Sequence, residues 1–214
     1  GEAANALVAA GYQRVDQVEE RGQFAIRGGI PICFPWFGAG RKGNKHPSHG
    51  FARLARWRLL EGLESGGVTT LRWMLDQTMI PNLEGIDPDR NRFDITATQI
   101  FGAELTVVMR LRNTDSVPLV VEQALHTYLH VGDIRRASVH RLAGKEYFDQ
   151  LDGSYNTQIG PVEFTGEVDR IYWVNNPVEV HDPVLNRRII LTTHNSANTV
   201  VWNPWADKTA TFQD

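Results

Sequence analysis

The chain has 214 residues, a length that suits one large domain or at most two small ones. Hydrophobic residues make up 42% and charged residues 22%, so the composition predicts a folded protein with a sizeable core. The net charge of −3 argues against nucleic acid or an anionic membrane as a partner, and the single cysteine, Cys33, excludes an internal disulfide and a cysteine-rich zinc site. We see no signal peptide and no apolar run long enough to span a bilayer, so we expect a cytoplasmic protein.

The 19 glycines and 10 prolines lie between short apolar runs, which is typical of an all-β protein. One short helix is predicted at 3–10, and a long irregular loop at 76–91. Strands are predicted at 68–75, 92–100, 103–112, 178–181, 188–193 and 199–202. The segment 103–112 shows the clearest alternation of apolar and polar residues, as in a half-buried strand. The sequence therefore predicts an antiparallel β-sandwich, with 1–214 forming a single domain.

The first segment with chemical potential is 27–38, which reads RGGIPICFPWFG. Arg27 offers a planar guanidinium that could bind an oxyanion, and the two glycines after it allow close approach of a ligand. A tight turn that leads into a buried aromatic run explains the same residues without a ligand. By itself, that structural explanation is the more common one.

A second motif, His-Gly-Phe-Ala-Arg, contains His49 and Arg53 and lies within a locally basic loop. On a net-acidic chain, this local positive charge suits a small anion such as phosphate better than a polymer. A solvated basic surface is the commoner fate of such clusters, and we assign His46 to that class.

The third motif is 122–130, which reads EQALHTYLH. As a strand, it places two histidines, a tyrosine and a glutamate on one face, which is typical of the floor of a cleft. That face would carry Glu122, Ala124, His126, Tyr128 and His130. His126 and His130 would also suit a metal pair on a helix, but the glutamate of the HExxH zinc motif is missing.

Two further motifs lie near the end of the chain. Asp169 begins the sequence Asp-Arg-Ile-Tyr, which could be a surface turn followed by a strand. Trp202 and Trp205 flank Asn-Pro and could stack on a sugar face, although packing in a core is the usual role of such aromatic residues.

Together, these five motifs occur in the order that they have in the glucose-6-phosphate 1-epimerases. The chain resembles this family of hexose-6-phosphate mutarotases, within the aldose 1-epimerase superfamily, over residues 24–214. The resemblance implies a large antiparallel β-sandwich of the galactose mutarotase type. It also implies interconversion of the α and β anomers of a hexose 6-phosphate, a small-molecule substrate, with no cofactor and no metal.

The resemblance also implies roles for individual residues. His126 matches the family's catalytic histidine, and we expect it to act as general acid. Arg27 and Arg53 match the arginines that contact the phosphate. His49 and Asp169 match residues that contact the sugar. The family's general-base glutamate follows the Trp-Asn-Pro-Trp segment, and no residue of this chain matches it, so we expect the chain to lack terminal strands of the family.

Three alternatives remain open from the sequence. The first is a phosphosugar-binding protein without catalytic activity on the same fold. The second is an epimerase for unphosphorylated or oligomeric sugars. The third is a cupin-like metal enzyme that uses His126 and His130. The oligomeric state is not predicted.

Overall fold

The computed structural model describes residues 29–80 and 92–206. Over these ranges the chain forms fourteen strands and one short 3-10 turn, and every sheet is antiparallel, so the all-β prediction is confirmed. The same ranges contain no helix that is long and apolar enough to cross a membrane. The helix predicted at 3–10 and most of the loop predicted at 76–91 lie outside the described residues.

The chain divides into two compact units, residues 1–128 and 129–214. Organisation as a single domain therefore stays a prediction.

The first unit contains a four-stranded meander and a separate two-stranded ladder. Its strands are β1 (Ile32–Cys33), β2 (Arg58–Ser65), β3 (Val68–Asp76), β4 (Phe93–Phe101), β5 (Leu105–Asn113) and β6 (Ala124–Leu125). The meander has the order β2-β3-β4-β5, and β1 pairs with β6. A 3-10 turn, Gln77–Met79, follows β3. The clear alternation of 103–112 gives β5, whose Met109 and Leu111 pack towards the core.

Aromatic side chains fill the core of the first unit. The ring of Phe34 packs edge-on against Phe51 and Phe93, with centroid distances of 6.0 and 5.2 Å. Ile95 of β4 and Leu75 of β3 complete this core from the meander, because inward-facing residues of the two strands alternate with outward-facing ones. The run that follows Arg27 is therefore a buried aromatic segment.

The second unit contains two four-stranded sheets. Its strands are β7 (Ser138–His140), β8 (Glu146–Asp149), β9 (Ser154–Thr157), β10 (Val162–Glu163), β11 (Val168–Tyr172), β12 (Val178–Asp182), β13 (Arg187–Leu191) and β14 (Thr199–Asn203). One sheet has the order β10-β7-β12-β13, and the other has the order β14-β11-β8-β9.

One apolar core joins these two sheets into a β-sandwich. Val178 and Val180 of β12 contribute from the first sheet, and Val168 and Tyr172 of β11 contribute from the second. The hydroxyl of Tyr172 donates to Oε1 of Gln158 at 2.8 Å, which satisfies a polar group inside the core. Burial raises the pKa of Tyr172 to about 12, so this hydroxyl keeps its proton.

Candidate active site

Two extended segments of the first unit, 29–35 and 122–128, run side by side. Backbone N–H groups of the second segment donate to carbonyl groups of the first. The pairs are Tyr128 to Gly29, His126 to Pro31 and Glu122 to Pro35, at 2.8, 2.9 and 2.9 Å. Proline has no N–H group, so Pro31 and Pro35 accept without donating in return. The regular ladder is therefore limited to β1 and β6, although 122–130 reads as one continuous strand in the sequence.

Alternate residues of 122–128 differ in exposure as their pattern predicts. Ala124, His126 and Tyr128 are half-buried, whereas Leu125 and Thr127 are exposed. Side chains of an extended segment alternate between its two sides, so His126 and Tyr128 share the protected side. His130, predicted on the same face, is exposed and belongs to the second unit.

The imidazole of His126 lies between two other rings. It stacks on the ring of Tyr128 with a centroid distance of 4.5 Å and an interplanar angle of 19°. The ring of His49 lies 5.7 Å away and nearly perpendicular, at 88°. Burial lowers the pKa of His126, and the positive charge of Arg53 lowers it further. Without a ligand, the imidazole is therefore neutral near pH 7.

His49 is held by reciprocal hydrogen bonds with Gly38. Its backbone N–H donates to the carbonyl of Gly38 at 2.7 Å, and the N–H of Gly38 donates to Nδ1 of His49 at 3.2 Å. Because Nδ1 accepts this hydrogen bond, it carries no proton, and the ring N–H of His49 lies on Nε2. Phe37 packs against the same ring at a centroid distance of 5.0 Å.

Gly50 allows the loop that carries His49 to pack closely against Phe34, the residue that follows β1. A Cβ at this position would lie 2.1 Å from the carbonyl oxygen of Phe34, and the backbone has a φ of +74°. That carbonyl accepts the N–H groups of Phe51 and Ala52 at 3.0 and 3.2 Å. Only glycine fits this combination of close approach and left-handed backbone. The glycine thereby fixes where His49 and Arg53 leave the backbone.

Arg53 is half-buried, and its charge acts on several groups of the site. Its positive charge lowers the pKa of His126 and opposes the rise that burial causes in the pKa values of Tyr128 and Cys33. Burial still raises the pKa of Cys33 to about 11, so the thiol is not a nucleophile at neutral pH. Arg53 thus supplies positive charge beside His126, as an anion-binding residue would.

Glu122 is a structural residue of this unit. Its Oε2 accepts the N–H of Phe37 at 3.2 Å, and its Oε1 pairs with Nε of Arg41 at 3.1 Å. The carboxylate therefore holds the loop after β1 against the 122–128 segment. Both of these interactions go to the loop after β1 and neither goes to His126, so they give Glu122 a structural role and not a catalytic one.

In the second unit, Asp169 lies on β11 and is half-buried. Its Oδ1 accepts a hydrogen bond from the side-chain amide of Gln150 at 2.6 Å. On the other side, the register of β11 with β14 places Asp169 opposite Trp202. Trp205 packs against the core of this unit, which is the alternative to stacking on a sugar that the sequence left open.

The structure brings together three of the five residues that the resemblance assigns to the site: His49, Arg53 and His126, all in the first unit. Asp169 lies in the second unit, and Arg27 lies outside the described residues. Sequence reasoning missed Gln150, because only the pairing of β8 with β11 places it beside Asp169. Among the described residues, no group of three or more histidine, cysteine, aspartate or glutamate side chains could hold a metal ion.

Comparison with solved structures defines the class of fold. The crystal structure of a "putative mutarotase" from Salmonella typhimurium matches with a TM-score of 0.76 and 29% identity, covering 88% of this chain and 61% of the other. A galactose mutarotase-like protein from Clostridium acetobutylicum matches with a TM-score of 0.62 at 11% identity, covering 85% and 66%. The fold is therefore the galactose mutarotase-like β-sandwich.

The sequence comparison then gives the family. The model of the aldose 1-epimerase family matches residues 17–214, and the chain belongs to this family. A Haemophilus influenzae protein named "putative glucose-6-phosphate 1-epimerase" is 32% identical over 187 residues, which are 87% of this chain and 62% of that protein. An Escherichia coli protein of the same name is 33% identical over 189 residues, covering 84% and 59%. The chain thus spans about three fifths of the length of these relatives.

Proposed function

We propose that the protein interconverts the α and β anomers of a hexose 6-phosphate. The observation that carries the proposal is the cluster of His49, Arg53 and His126, which combines a proton-transfer group with an anion-binding group in one unit. Membership of the aldose 1-epimerase family and the names of the relatives support the same reaction.

Mutarotation opens the pyranose ring, rotates the aldehyde about the C1–C2 bond and closes the ring again. Opening requires a proton on the ring oxygen and removal of a proton from the C1 hydroxyl. In this proposal His126 delivers the first proton as general acid, because an imidazole gains and loses protons near neutral pH. The complementary base is not assigned to a residue of this chain.

The lowered pKa of His126 fits an acid that is activated by its own substrate. Burial and Arg53 disfavour the imidazolium when the site holds no anion. A phosphate bound at Arg53 offsets that positive charge and favours protonation of His126. Proton transfer is then available mainly when the anionic substrate is bound, which favours phosphorylated over neutral sugars.

The other predicted residues bind and orient the sugar. Arg27 and Arg53 contact the phosphate, which is remote from the reacting carbon and so serves as an anchor. His49 contacts the sugar, and the role of Asp169 as acceptor for a sugar hydroxyl rests on the family resemblance alone. Anchoring of this kind positions the ring oxygen of the bound sugar next to the general acid.

The test is anomer exchange measured by NMR exchange spectroscopy on glucose 6-phosphate and on glucose, with and without the chain. The proposal predicts acceleration of glucose 6-phosphate exchange and a much smaller effect on glucose. Equal turnover of the two sugars would favour an epimerase for unphosphorylated substrates. Binding of glucose 6-phosphate without acceleration would contradict the enzyme and favour a phosphosugar-binding protein.

A further inference from the structure

Gln150 and Asp169 are cross-strand neighbours in the second unit. The backbone N–H of Gln150 donates to the carbonyl of Asp169 at 2.8 Å. The side-chain amide of Gln150 donates to Oδ1 of Asp169 at 2.6 Å. The two residues are therefore joined through both backbone and side chain, which fixes the distance between them more firmly than a single surface contact does.

The backbone around Gln150 is itself anchored by the residue before it. Oδ1 of Asp149 accepts the N–H of Leu151 at 3.0 Å, and Oδ2 accepts from Nε of Arg170 at 3.3 Å. The carbonyl of Asp149 also accepts the N–H of Gly153 at 2.9 Å. Asp149 is buried, so these bonds tie the start of the turn to the sandwich core. Gln150 projects from a position that the core determines.

The side chains of Gln150 and Asp169 lie on the side of the sheet that faces away from the core. Val168, Arg170 and Tyr172 of β11 point inward, so Asp169 between them points outward. On β14, Val201 is buried and Trp202, opposite Asp169, shares the outward side. An amide, a carboxylate and an indole are thus adjacent on one outward face, the combination that hydrogen-bonds and stacks on a sugar ring.

We propose that Gln150 is a positioning residue that orients the carboxylate of Asp169 towards a hydroxyl group of the hexose. The inference rests on the proposed function, which makes Asp169 a sugar-binding residue. The amide N–H holds one carboxylate oxygen and thereby fixes the plane of the carboxylate. A carboxylate has about four lone-pair sites, so it accepts the amide and a sugar hydroxyl together.

This role affects recognition of the sugar but not of the phosphate. The test is calorimetric titration of the full chain with glucose 6-phosphate and, separately, with inorganic phosphate. Gln150→Leu is expected to weaken binding of glucose 6-phosphate about tenfold, the size of one charge-assisted hydrogen bond, and to leave phosphate binding unchanged. Asn156→Leu is the matched control. Asn156 lies on β9, the strand next to β8, and its exposed side-chain amide donates to Ser154 of the same strand at 2.7 Å.

Two further variants separate positioning from a purely structural role. In the Asp169→Asn background, Gln150→Leu is expected to cause no additional loss, because its effect passes through Asp169. Gln150→Glu places two carboxylates together. At neutral pH, this variant should reduce the preference of the chain for glucose 6-phosphate over inorganic phosphate. In acid the preference should recover, because the two carboxyl groups share a proton and no longer repel each other. The melting temperature should stay unchanged, because Gln150 is exposed.

The outcomes distinguish this inference from the proposed function. If the unmodified chain binds and exchanges glucose 6-phosphate but Gln150→Leu binds it normally, the positioning role is wrong and the function stands. Equal losses for glucose 6-phosphate and inorganic phosphate would also overturn the positioning role. If the unmodified chain binds no glucose 6-phosphate, the proposed function fails and the inference fails with it.

Discussion

At the scale of single residues, the site depends on how one imidazole is surrounded. Tyr128 stacks on His126 and His49 meets it edge-on, so the ring has little freedom to rotate. Arg53 supplies a positive charge close enough to lower the pKa of His126. The same charge would attract a phosphate, so the proposed function predicts that substrate binding and the protonation of His126 are linked.

This linkage predicts how His126 titrates. Its pKa lies below the ordinary value of 6.5 without ligand and should rise when glucose 6-phosphate or inorganic phosphate is added. The measurement is an NMR titration of the histidine ring protons, with the His126 signal identified by its absence in His126→Gln.

Arg53→Gln should raise the pKa of His126 without any ligand, because it removes the nearby positive charge. Lys42→Gln changes the same charge at an exposed position and serves as the control. A pKa that stays the same in Arg53→Gln, or that falls when phosphate binds, would contradict the link between Arg53 and His126.

A second residue-scale prediction concerns Gly50. Gly50→Ala should lose more than about 3 kcal/mol of unfolding free energy, since its Cβ would lie 2.1 Å from the Phe34 carbonyl oxygen. Gly43→Ala is the matched control, because its φ of +67° is similar and nothing lies within 4 Å of the added Cβ. Its loss should be about 1–2 kcal/mol. Urea unfolding followed by tryptophan fluorescence measures both. Equal losses would show that backbone strain alone, and not the close approach, makes this glycine necessary.

The sequence predicted which residues belong to the candidate site better than it predicted the contacts between them. His49, Arg53 and His126 belong to motifs, and the structure does place them in one unit. The stacking of Tyr128 follows from alternation once the segment is known to be extended. The bond from Gln150 to Asp169 has no local signal, because it depends on the register between two strands.

At the scale of elements, a cluster of charged residues (the charged hub) joins β12, β13 and the residue that follows β7 in the second unit. Glu179 of β12 is buried and accepts from Nη2 of Arg141 at 2.8 Å and from Nε2 of His181 at 2.7 Å. Arg188 of β13 lies 3.4 Å from the same carboxylate. The hydrogen bond from His181 leads the effects that lower the pKa of Glu179 to about 2, and Arg141 and Arg188 add to it.

The hub predicts how stability depends on acid. An ionised Glu179 contributes stability that is fully present above its unfolded pKa near 4.5 and is lost as the pH falls towards about 2. Glu179→Gln should therefore lower the melting temperature at pH 7 and flatten its decline between pH 4.5 and pH 2. Circular dichroism melts at several pH values measure this. Glu146→Gln, at an exposed position of β8, is the control. An unchanged acid decline in Glu179→Gln would contradict the hub.

Strand prediction succeeded where periodicity was undisturbed. The strands β3, β4, β5, β12, β13 and β14 all appear where alternation or turn residues indicated them. Of the strand predicted at 122–130, only β6 forms. The neighbouring segment 29–35 contains Pro31 and Pro35, which have no N–H group to donate to a ladder. The strands β7 to β10 were not predicted, because two to four residues carry too little periodicity.

At the scale of the whole molecule, the order of five motifs predicted the family, and the family match over residues 17–214 confirms it. Composition and alternation predicted the all-β class independently. The division into two units could not be predicted, because it depends on which strands pair across long sequence separations. The net charge of −3 also conceals the local positive charge around Arg53, to which the proposed function assigns phosphate binding.

The central claim is that the imidazole at position 126 transfers a proton during ring opening. Its most direct test compares glucose 6-phosphate anomer exchange in the unmodified chain, in His126→Gln and in His46→Gln, which alters an exposed histidine of the same unit. We predict that His126→Gln slows exchange by ~10²–10⁴ while still binding phosphate, and that His46→Gln matches the unmodified chain. Exchange by His126→Gln at the unmodified rate, or no acceleration by the unmodified chain, would contradict the account.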